Sequence, residues 1–257
     1  MRAWIMGTLV VASAAEAKVK TETVEYRDGD AVLEGYLSYD EAIAGRRPGV
    51  VVIHDWMGNG EFSKKKAEDL AALGYVALAA DVYGKGNRPK DSAQAAALAG
   101  KLKGERTVLR SRVRAALDHL AKSPRVESAK LAAMGFCFGG TAAIELAKSG
   151  APVAGVVSFH GGLDAPTPTK RLSAKLLVLH GADDPFVKAE DIQAFKRDLR
   201  EAGADWQMVE YSGAVHAFTN PAAGNDNSKG AAYNASADRR SWVAMRAFFE
   251  ELFGKSS

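Results

Sequence analysis

The sequence contains a single cysteine, Cys137, among its 257 residues. One thiol excludes a disulfide within the chain, and it also excludes a metal site built from several cysteines. Cys137 is therefore either a packing residue or a group that takes part in chemistry. The surrounding sequence has to decide between these two interpretations.

The sequence also lacks a strong excess of charge of one sign. Its net charge is +3, from 34 basic and 31 acidic residues, and only 8% of its residues are aromatic. The one compact basic run, residues 64–66, lies in a helical pattern that also carries Glu61, Glu68 and Asp69, which is typical of a solvated helix face. Without basic residues interleaved with aromatic ones, we expect no nucleic-acid partner.

The sequence also lacks any apolar run long enough to span a membrane. Residues 3–12 form a short apolar run after Met1 and Arg2, and Ala15-Glu16-Ala17 follows it as an A-x-A cleavage site. This pattern predicts a signal peptide over residues 1–17. We expect residues 18–257 to be a single domain that is periplasmic, monomeric and free of the membrane.

What the sequence does contain is a regular alternation of strand and helix patterns. This alternation predicts one α/β domain with a doubly wound, mostly parallel sheet, helices on both faces and an N-terminal antiparallel hairpin. The predicted strands are Thr21–Arg27, Ala31–Ser38, Gly49–Ile53, Tyr75–Ala80, Leu131–Met134, Val153–Phe159, Lys175–Leu179 and Trp206–Tyr211. The predicted helices are Glu61–Leu73, Ser92–Ala121 with a break near Gly100 or Gly104, one ending at Lys148, Ala189–Ala202 and Arg239–Phe253. Asn220–Asp238 is expected to be a long polar loop.

Cys137 lies in Gly135-Phe-Cys-Phe-Gly139, between a predicted strand and a predicted helix. This is the G-x-C-x-G form of a nucleophile elbow, a sharp turn in which glycines leave room for strained backbone. The amino end of the following helix favours the thiolate over the thiol. A buried structural cysteine beside a glycine-rich turn is the alternative interpretation.

The loops after two later predicted strands carry an acid and a histidine, Asp184 and His216. The order nucleophile, acid, histidine is that of the α/β-hydrolase fold. His54, His160 and His180 also follow strands, but His216 alone comes after both the elbow and a loop acid. We prefer Asp184 to Asp183, and Asp164 is a poorer candidate because it follows an earlier strand. The backbone amides of Phe138 and Trp56 are the expected oxyanion-hole donors.

These motifs together resemble the dienelactone hydrolase family. The resemblance extends from about residue 24 to residue 253, and it includes Val51–Gly58 and Ala71–Tyr83. It implies a hydrolase that needs no cofactor and acts on small-molecule substrates. These would be lactones or small esters, which the enzyme opens through an acyl-thioester on Cys137. The family's acid falls at Asp184. The segments 218–221, 233–234 and 237–242 resemble a secreted branch of the family.

The resemblance also assigns residues around the nucleophile, and here the sequence departs from the family. Asp55 stands where the family has a glutamate that controls the nucleophile. The family binds its anionic substrate with two arginines. In this sequence Asn220 occupies one of these positions, and the other position falls near Lys85. Asparagine lacks the planar fork of donors that guanidinium offers a carboxylate. Lys85 or Arg88 would supply the missing charge, unless both are solvated loop residues.

Two functional classes follow from these motifs. The first is a thiol-dependent hydrolase of lactones or small carboxylic esters that uses Cys137, His216 and Asp184. The alternative is a non-catalytic binding or sensing protein on a hydrolase scaffold, suggested by the departures at Asp55 and Asn220. A hydrolase that attacks a peptide or thioester bond would use the same three residues.

Overall fold

The computed structural model describes residues 17–164 and 168–254. The predicted signal peptide and its cleavage site lie outside the described residues except for Ala17. Eight strands form one sheet: β1 (Val19–Asp28), β2 (Ala31–Asp40), β3 (Arg47–Ile53), β4 (Val76–Ala80), β5 (Val126–Phe136), β6 (Gly155–Phe159), β7 (Lys175–Gly181) and β8 (Trp206–Tyr211). The helices are α1 (Glu61–Ala72), α2 (Ser92–Gly104), α3 (Arg106–Ala121), α4 (Phe138–Lys148), α5 (Ala189–Glu201) and α6 (Ala235–Phe253).

The strand order is β1-β2-β4-β3-β5-β6-β7-β8. β1 and β2 form an antiparallel hairpin at one edge, and β2 pairs antiparallel with β4. All the other pairs are parallel. The chain runs outward from β3 to β4 and then crosses to β5 on the other side of β3. The carboxyl ends of β3 and β5 therefore form the switch point at which open α/β sheets bind ligands.

Two apolar cores cover the two faces of this sheet, and the alternation of strand residues assigns them. In β3, Val51 and Ile53 belong to one core, whereas Val50 and Val52 belong to the other. The first core receives buried side chains from α2, α3, α4 and α5, and the second receives them from α1 and α6. Because the central strands are buried on both faces, they read as continuous apolar runs in the sequence.

The predicted loop over residues 220–238 contains more structure than its composition suggests. Two 3₁₀ turns, Pro221–Ala223 and Asn227–Lys229, lie within it, and α6 begins at Ala235 rather than at Arg239. The Asn234 side chain caps α6 by accepting from the amides of Ser236 and Ala237. Asparagine at this position is a helix-start signal, and the polar composition of the segment obscured it. No helix among residues 17–164 and 168–254 is long and apolar enough to cross a membrane.

Candidate active site

Cys137 lies between the end of β5 and the first residue of α4, and it is half-buried. Its backbone has φ 54° and ψ −115°, a positive φ that non-glycine residues rarely adopt. Such strain persists only where the surrounding structure enforces it, and it is concentrated at functional sites. The geometry fits a nucleophile elbow.

The glycines around Cys137 are required by close backbone approaches. A Cβ on Gly135 would lie 2.0 Å from the carbonyl oxygen of Gly139, and one on Gly139 would lie 2.3 Å from that of Ile53. A Cβ on Gly140 would lie 2.7 Å from Ser158 Oγ. The predicted clearance role of these three glycines is confirmed.

His216 and Asp184 meet although they follow different strands. Nδ1 of His216 lies 2.8 Å from Oδ2 of Asp184, whose side chain is fully buried. The other oxygen of Asp184 accepts from the amide of Phe186 at 2.9 Å. The two loops touch at Gly181, where a Cβ would lie 2.6 Å from the Ala214 carbonyl oxygen.

Cys137 and His216 line the same cavity, and the thiol contributes to the electrostatics of the imidazole. Burial lowers the pKa of His216, but hydrogen bonds and charges from Asp184 and Cys137 outweigh burial and raise it to about 10. An imidazole held this way is poised to carry a proton.

The alternative carboxylates lie elsewhere. Asp183 accepts from the amide of Gly213 at 3.1 Å, and Asp164 forms an ion pair with Arg106. Both are exposed, and their hydrogen bonds go to groups other than His216. The structure therefore brings only Asp184 of the three candidate acids to the histidine.

The loop after β3 carries the second predicted oxyanion donor. The hydroxyl of Tyr83 donates to the carbonyl oxygen of Trp56 at 2.9 Å. This bond anchors the loop at the residue whose amide is the predicted donor. Nδ1 of His54 lies 2.5 Å from the carbonyl oxygen of Asp55, and burial lowers the pKa of His54 to about 4. A neutral His54 thus holds the loop. Phe138 is the first residue of α4. No preceding turn of the helix therefore supplies a carbonyl oxygen that could accept a hydrogen bond from its backbone amide.

Asp55 and Asn220 line the same cavity as Cys137 and contact each other. Oδ1 of Asp55 accepts from the amide of Met57 at 2.8 Å, and the Asn220 side chain also hydrogen-bonds to Asp55. Burial raises the pKa of Asp55, while these hydrogen bonds and the charge of His216 oppose the increase. The two departures from the family pattern are therefore neighbours.

Lys85 and Arg88 lie outside this cavity, so their positions do not fit the expected contact with substrate. Lys85 forms ion pairs with Glu25 and Glu34 at the β1–β2 edge. Nη1 of Arg88 lies 3.4 Å from a carboxylate oxygen of the fully buried Asp81. Each cation is held by carboxylates that the sequence spacing did not reveal.

The cavity around Cys137 and His216 has a volume of about 740 Å³. Its wall is mainly apolar, and it includes Trp56, Met57, Phe62, Phe186, Val187, Ala217, Ala222, Ala223 and Ala231. Three of these large apolar residues are exposed to solvent: Trp56 by 37%, Met57 by 39% and Phe186 by 62%. Lys103 and Lys229 line it as well. Within residues 17–164 and 168–254, no group of three or more histidine, cysteine or acidic residues could hold a metal ion.

The 220–234 segment covers the histidine. The amide of His216 donates to the carbonyl oxygen of Gly230 at 3.1 Å, and the carbonyl oxygen of His216 accepts from Ala232 at 3.0 Å. These bonds form a short parallel bridge between His216 and Ala231. The segment therefore fixes the backbone of His216 and supplies part of the cavity wall.

Comparison with known proteins decides the family. The sequence model described as "Dienelactone hydrolase family" matches residues 33–253. The chain belongs to the dienelactone hydrolase family. It is thus a hydrolase of the lactone and carboxylic ester class, as the motifs predicted.

Relatives and solved structures agree with this assignment. The chain is 42% identical to a solved "Dienelactone Hydrolase-like Promiscuous Phospotriesterase" from metagenomic libraries, with a TM-score of 0.88 over 92% of this chain and 100% of that one. It is 28% identical to a "Putative carboxymethylenebutenolidase" of Salmonella typhimurium, covering 87% of this chain and 84% of that protein. It is 29% identical to a "Probable 2-oxo-3-(5-oxofuran-2-ylidene)propanoate lactonase" of Bradyrhizobium sp, covering 68% and 75%.

Two buried residues of the site, His160 and Thr219, were not assigned a role from the sequence. His160 was only one of four histidines that follow strands, and Thr219 lies between His216 and the polar segment. The His160-Gly161-Gly162 run after β6 resembles the glycine-rich ends of the other functional loops, and it is the one sequence signal that pointed to this position.

Proposed function

We propose that this protein hydrolyses lactones or small, neutral carboxylic esters through an acyl-thioester on Cys137. The observation that carries the proposal is the position of His216, which is bonded to Asp184 at 2.8 Å and lines one cavity together with Cys137, whose thiol interacts with the imidazole. A base held between an acid and a nucleophile is the arrangement that nucleophilic catalysis requires.

In the proposed first step, His216 takes the thiol proton while Cys137 Sγ attacks the substrate carbonyl carbon, and the carbonyl oxygen becomes an oxyanion. The amides of Phe138 and Trp56 would stabilise this charge. When the intermediate collapses, the bond to the leaving oxygen breaks and His216 gives that oxygen its proton. Water then attacks the thioester carbon and gives one proton to His216. The C–S bond breaks, the carboxylic acid leaves, and the proton passes from His216 to the sulfur of Cys137.

The cavity wall supports a neutral, apolar substrate. Trp56, Met57 and Phe186 surround the opening with apolar surface, which binds hydrocarbon or aromatic groups of a substrate. Asp55 lies beside His216, and neither Lys85 nor Arg88 lines the cavity. A substrate carboxylate beside Asp55 would therefore meet a like charge, and the two cations of the cavity wall are Lys103 and Lys229 rather than the expected Lys85 or Arg88.

The test is turnover of a panel of 4-nitrophenyl esters and lactones, followed by intact-mass spectrometry. We expect a transient adduct of one acyl group on Cys137, and we expect Cys137→Ala to lower kcat by at least about 10³-fold. Unchanged turnover in Cys137→Ala would exclude the proposal. If the whole panel gives no turnover while a ligand still raises the melting temperature, the chain is a binding protein instead.

Phosphotriester hydrolysis is a second candidate activity, favoured by the name of the 42% identical structure. A dialkyl aryl phosphate is neutral and apolar, so it matches the same cavity. Adding such a triester to the panel tests this candidate, and release of the aryl alcohol that depends on Cys137 would support it.

The predicted export is also part of the proposal. We propose that the chain belongs to a secreted branch of the family, that cleavage after Ala17 leaves residues 18–257 in the periplasm, and that this form is a monomer. N-terminal sequencing of the protein from a periplasmic extract tests the cleavage, and light scattering tests the monomer. A chain that retains Met1 in the cytoplasm would contradict the export.

A further inference from the structure

His160 lies behind the nucleophile, at the end of β6, and only 2% of its surface is exposed. Its backbone has φ 40°, so Cys137 and His160 both have positive φ values. Non-glycine residues adopt this region rarely unless surrounding contacts enforce it. The contacts of the His160 side chain explain why this conformation persists.

Both ring nitrogens of His160 are hydrogen-bonded. The backbone amide of Cys137 donates a bifurcated hydrogen bond, to Nδ1 of His160 at 3.1 Å and to the carbonyl oxygen of Phe159 at 3.0 Å. Nε2 lies 2.8 Å from Oγ1 of Thr219. Since Nδ1 accepts, the proton of the neutral ring is on Nε2, which donates to Thr219. Burial lowers the pKa of His160 well below its usual value, so the ring stays neutral.

We propose that His160 is a positioning residue that sets Cys137 against His216. One nitrogen holds the strained backbone of the nucleophile, and the other holds the segment three residues after the base. The inference rests on the proposed function in that Cys137 and His216 are the reacting pair. A misplacement of about 1 Å between reacting groups can cost 10²-fold in rate.

The ring packing agrees with this role. The His160 ring meets the His216 ring edge-on, with centroids 5.3 Å apart, and it meets Phe218 in the same way at 5.0 Å. A neutral His160 beside His216 adds no charge repulsion when His216 carries a proton. His160 thus supports the base without competing for its proton.

Thr219→Val is the central test because it removes one hydroxyl and keeps the side-chain shape. We expect kcat for a 4-nitrophenyl ester to fall about 10-fold with little change in KM, while Thr219→Ser stays close to the wild type. Thr141→Val is the matched control: Thr141 is equally buried and donates to the carbonyl oxygen of Gly162. We expect Thr141→Val to keep the wild-type kcat.

Substitutions of His160 test the other bond. Asparagine tolerates positive φ, and its side-chain oxygen can replace Nδ1 as acceptor for the Cys137 amide. We therefore expect His160→Asn to lose about 10-fold in kcat and His160→Ala at least 100-fold. Wild-type kcat in both Thr219→Val and His160→Ala would overturn the inference, as would equal losses in Thr219→Val and Thr141→Val.

The rate at which iodoacetamide alkylates Cys137, measured across pH, separates this inference from the proposed function. Alkylation needs no ester turnover, and it responds to the distance between the thiol and His216. We expect Thr219→Val and His160→Ala to slow alkylation, because a displaced His216 takes the thiol proton less readily. A wild type that alkylates but turns over no ester would contradict the proposed function alone, whereas unchanged alkylation profiles in the variants would contradict the role of His160.

Discussion

Asp183 and Asp184 are adjacent in the chain but have different environments. Asp184 is buried against His216, whereas Asp183 is exposed and bonded to Gly213. The same substitution at the two positions therefore separates the acid of the proposed triad from a loop carboxylate. We expect Asp184→Asn to lower kcat by about 10³–10⁴-fold and Asp183→Asn to change it by less than about twofold.

The physical reason is the tautomer of His216. An amide NH₂ at position 184 would donate to Nδ1, so the proton would move to Nε2 and the ring could no longer accept the thiol proton. The measurement is kcat and KM for one ester, with melting temperatures to show that both variants fold. A large loss in Asp183→Asn with normal activity in Asp184→Asn would reverse the assignment.

At the residue scale, the sequence predicts short side chains better than long ones. Cys137, Asp184 and His216 lie where their strand ends place them, because the backbone fixes a short side chain to within a few ångströms. For Lys85 the sequence left open a contact with substrate or a place in a solvated loop, and Glu25, which is 60 residues earlier in the chain, holds it at the sheet edge. Spacing along the chain identifies the loop of a long cation, but it does not identify its carboxylate partner.

At the element scale, two glycines of the described helices differ in what surrounds them. Gly100 is exposed in the interior of α2, and a Cβ there would meet no atom within 4 Å. Gly139 is buried in the first turn of α4, where a Cβ would lie 2.3 Å from the Ile53 carbonyl oxygen. The structure thus separates a glycine that weakens a helix from one that the elbow requires.

We expect Gly100→Ala to raise the free energy of unfolding by about 0.5–1 kcal/mol, because alanine restricts the unfolded chain. Gly139→Ala should lower it by about 3 kcal/mol, because β3 and α4 have to move apart. Urea denaturation followed by circular dichroism measures both. A Gly139→Ala variant as stable as the wild type would show that the elbow tolerates a Cβ.

The elements themselves were largely predictable, since β3, β5, β6 and β7 are buried on both faces and read as apolar runs. The exceptions have local causes. α2 and α3 were predicted as one helix with a possible break, and the break occurs at Glu105, just after Gly104. The strand order and the contact between the loops after β7 and β8 depend on long-range pairing, which periodicity does not encode.

At the scale of the whole molecule, one buried ion pair joins the carboxyl end of α4 to α5. Nζ of Lys148, at the end of α4, lies 2.7 Å from Oδ2 of Asp198, and their side chains are 4% and 11% exposed. Thr169 donates to the same carboxylate through its amide and its hydroxyl, at 2.7 Å each. Three separate segments of the chain therefore meet at Asp198.

This cluster makes stability depend on pH in a predictable direction. Burial raises the pKa of Asp198, but the hydrogen bonds from Lys148 and Thr169 outweigh burial and lower it. A carboxyl whose pKa is lower in the folded state stabilises the fold above its unfolded pKa of about 3.9, and this contribution is lost as the pH falls through the folded value. We expect the free energy of unfolding of the wild type to exceed that of Asp198→Asn by a constant amount above about pH 5.

The same difference should shrink below about pH 4, as the carboxylate of the wild type becomes protonated. Urea denaturation of both proteins between pH 3 and pH 8 measures it. The exposed pair Arg114–Asp118 supplies the control, because a solvated ion pair contributes little and Asp118→Asn should change stability only slightly. A difference between the wild type and Asp198→Asn that stayed the same down to pH 3 would mean that Asp198 acts through packing, and the link between α4 and α5 would then not depend on charge.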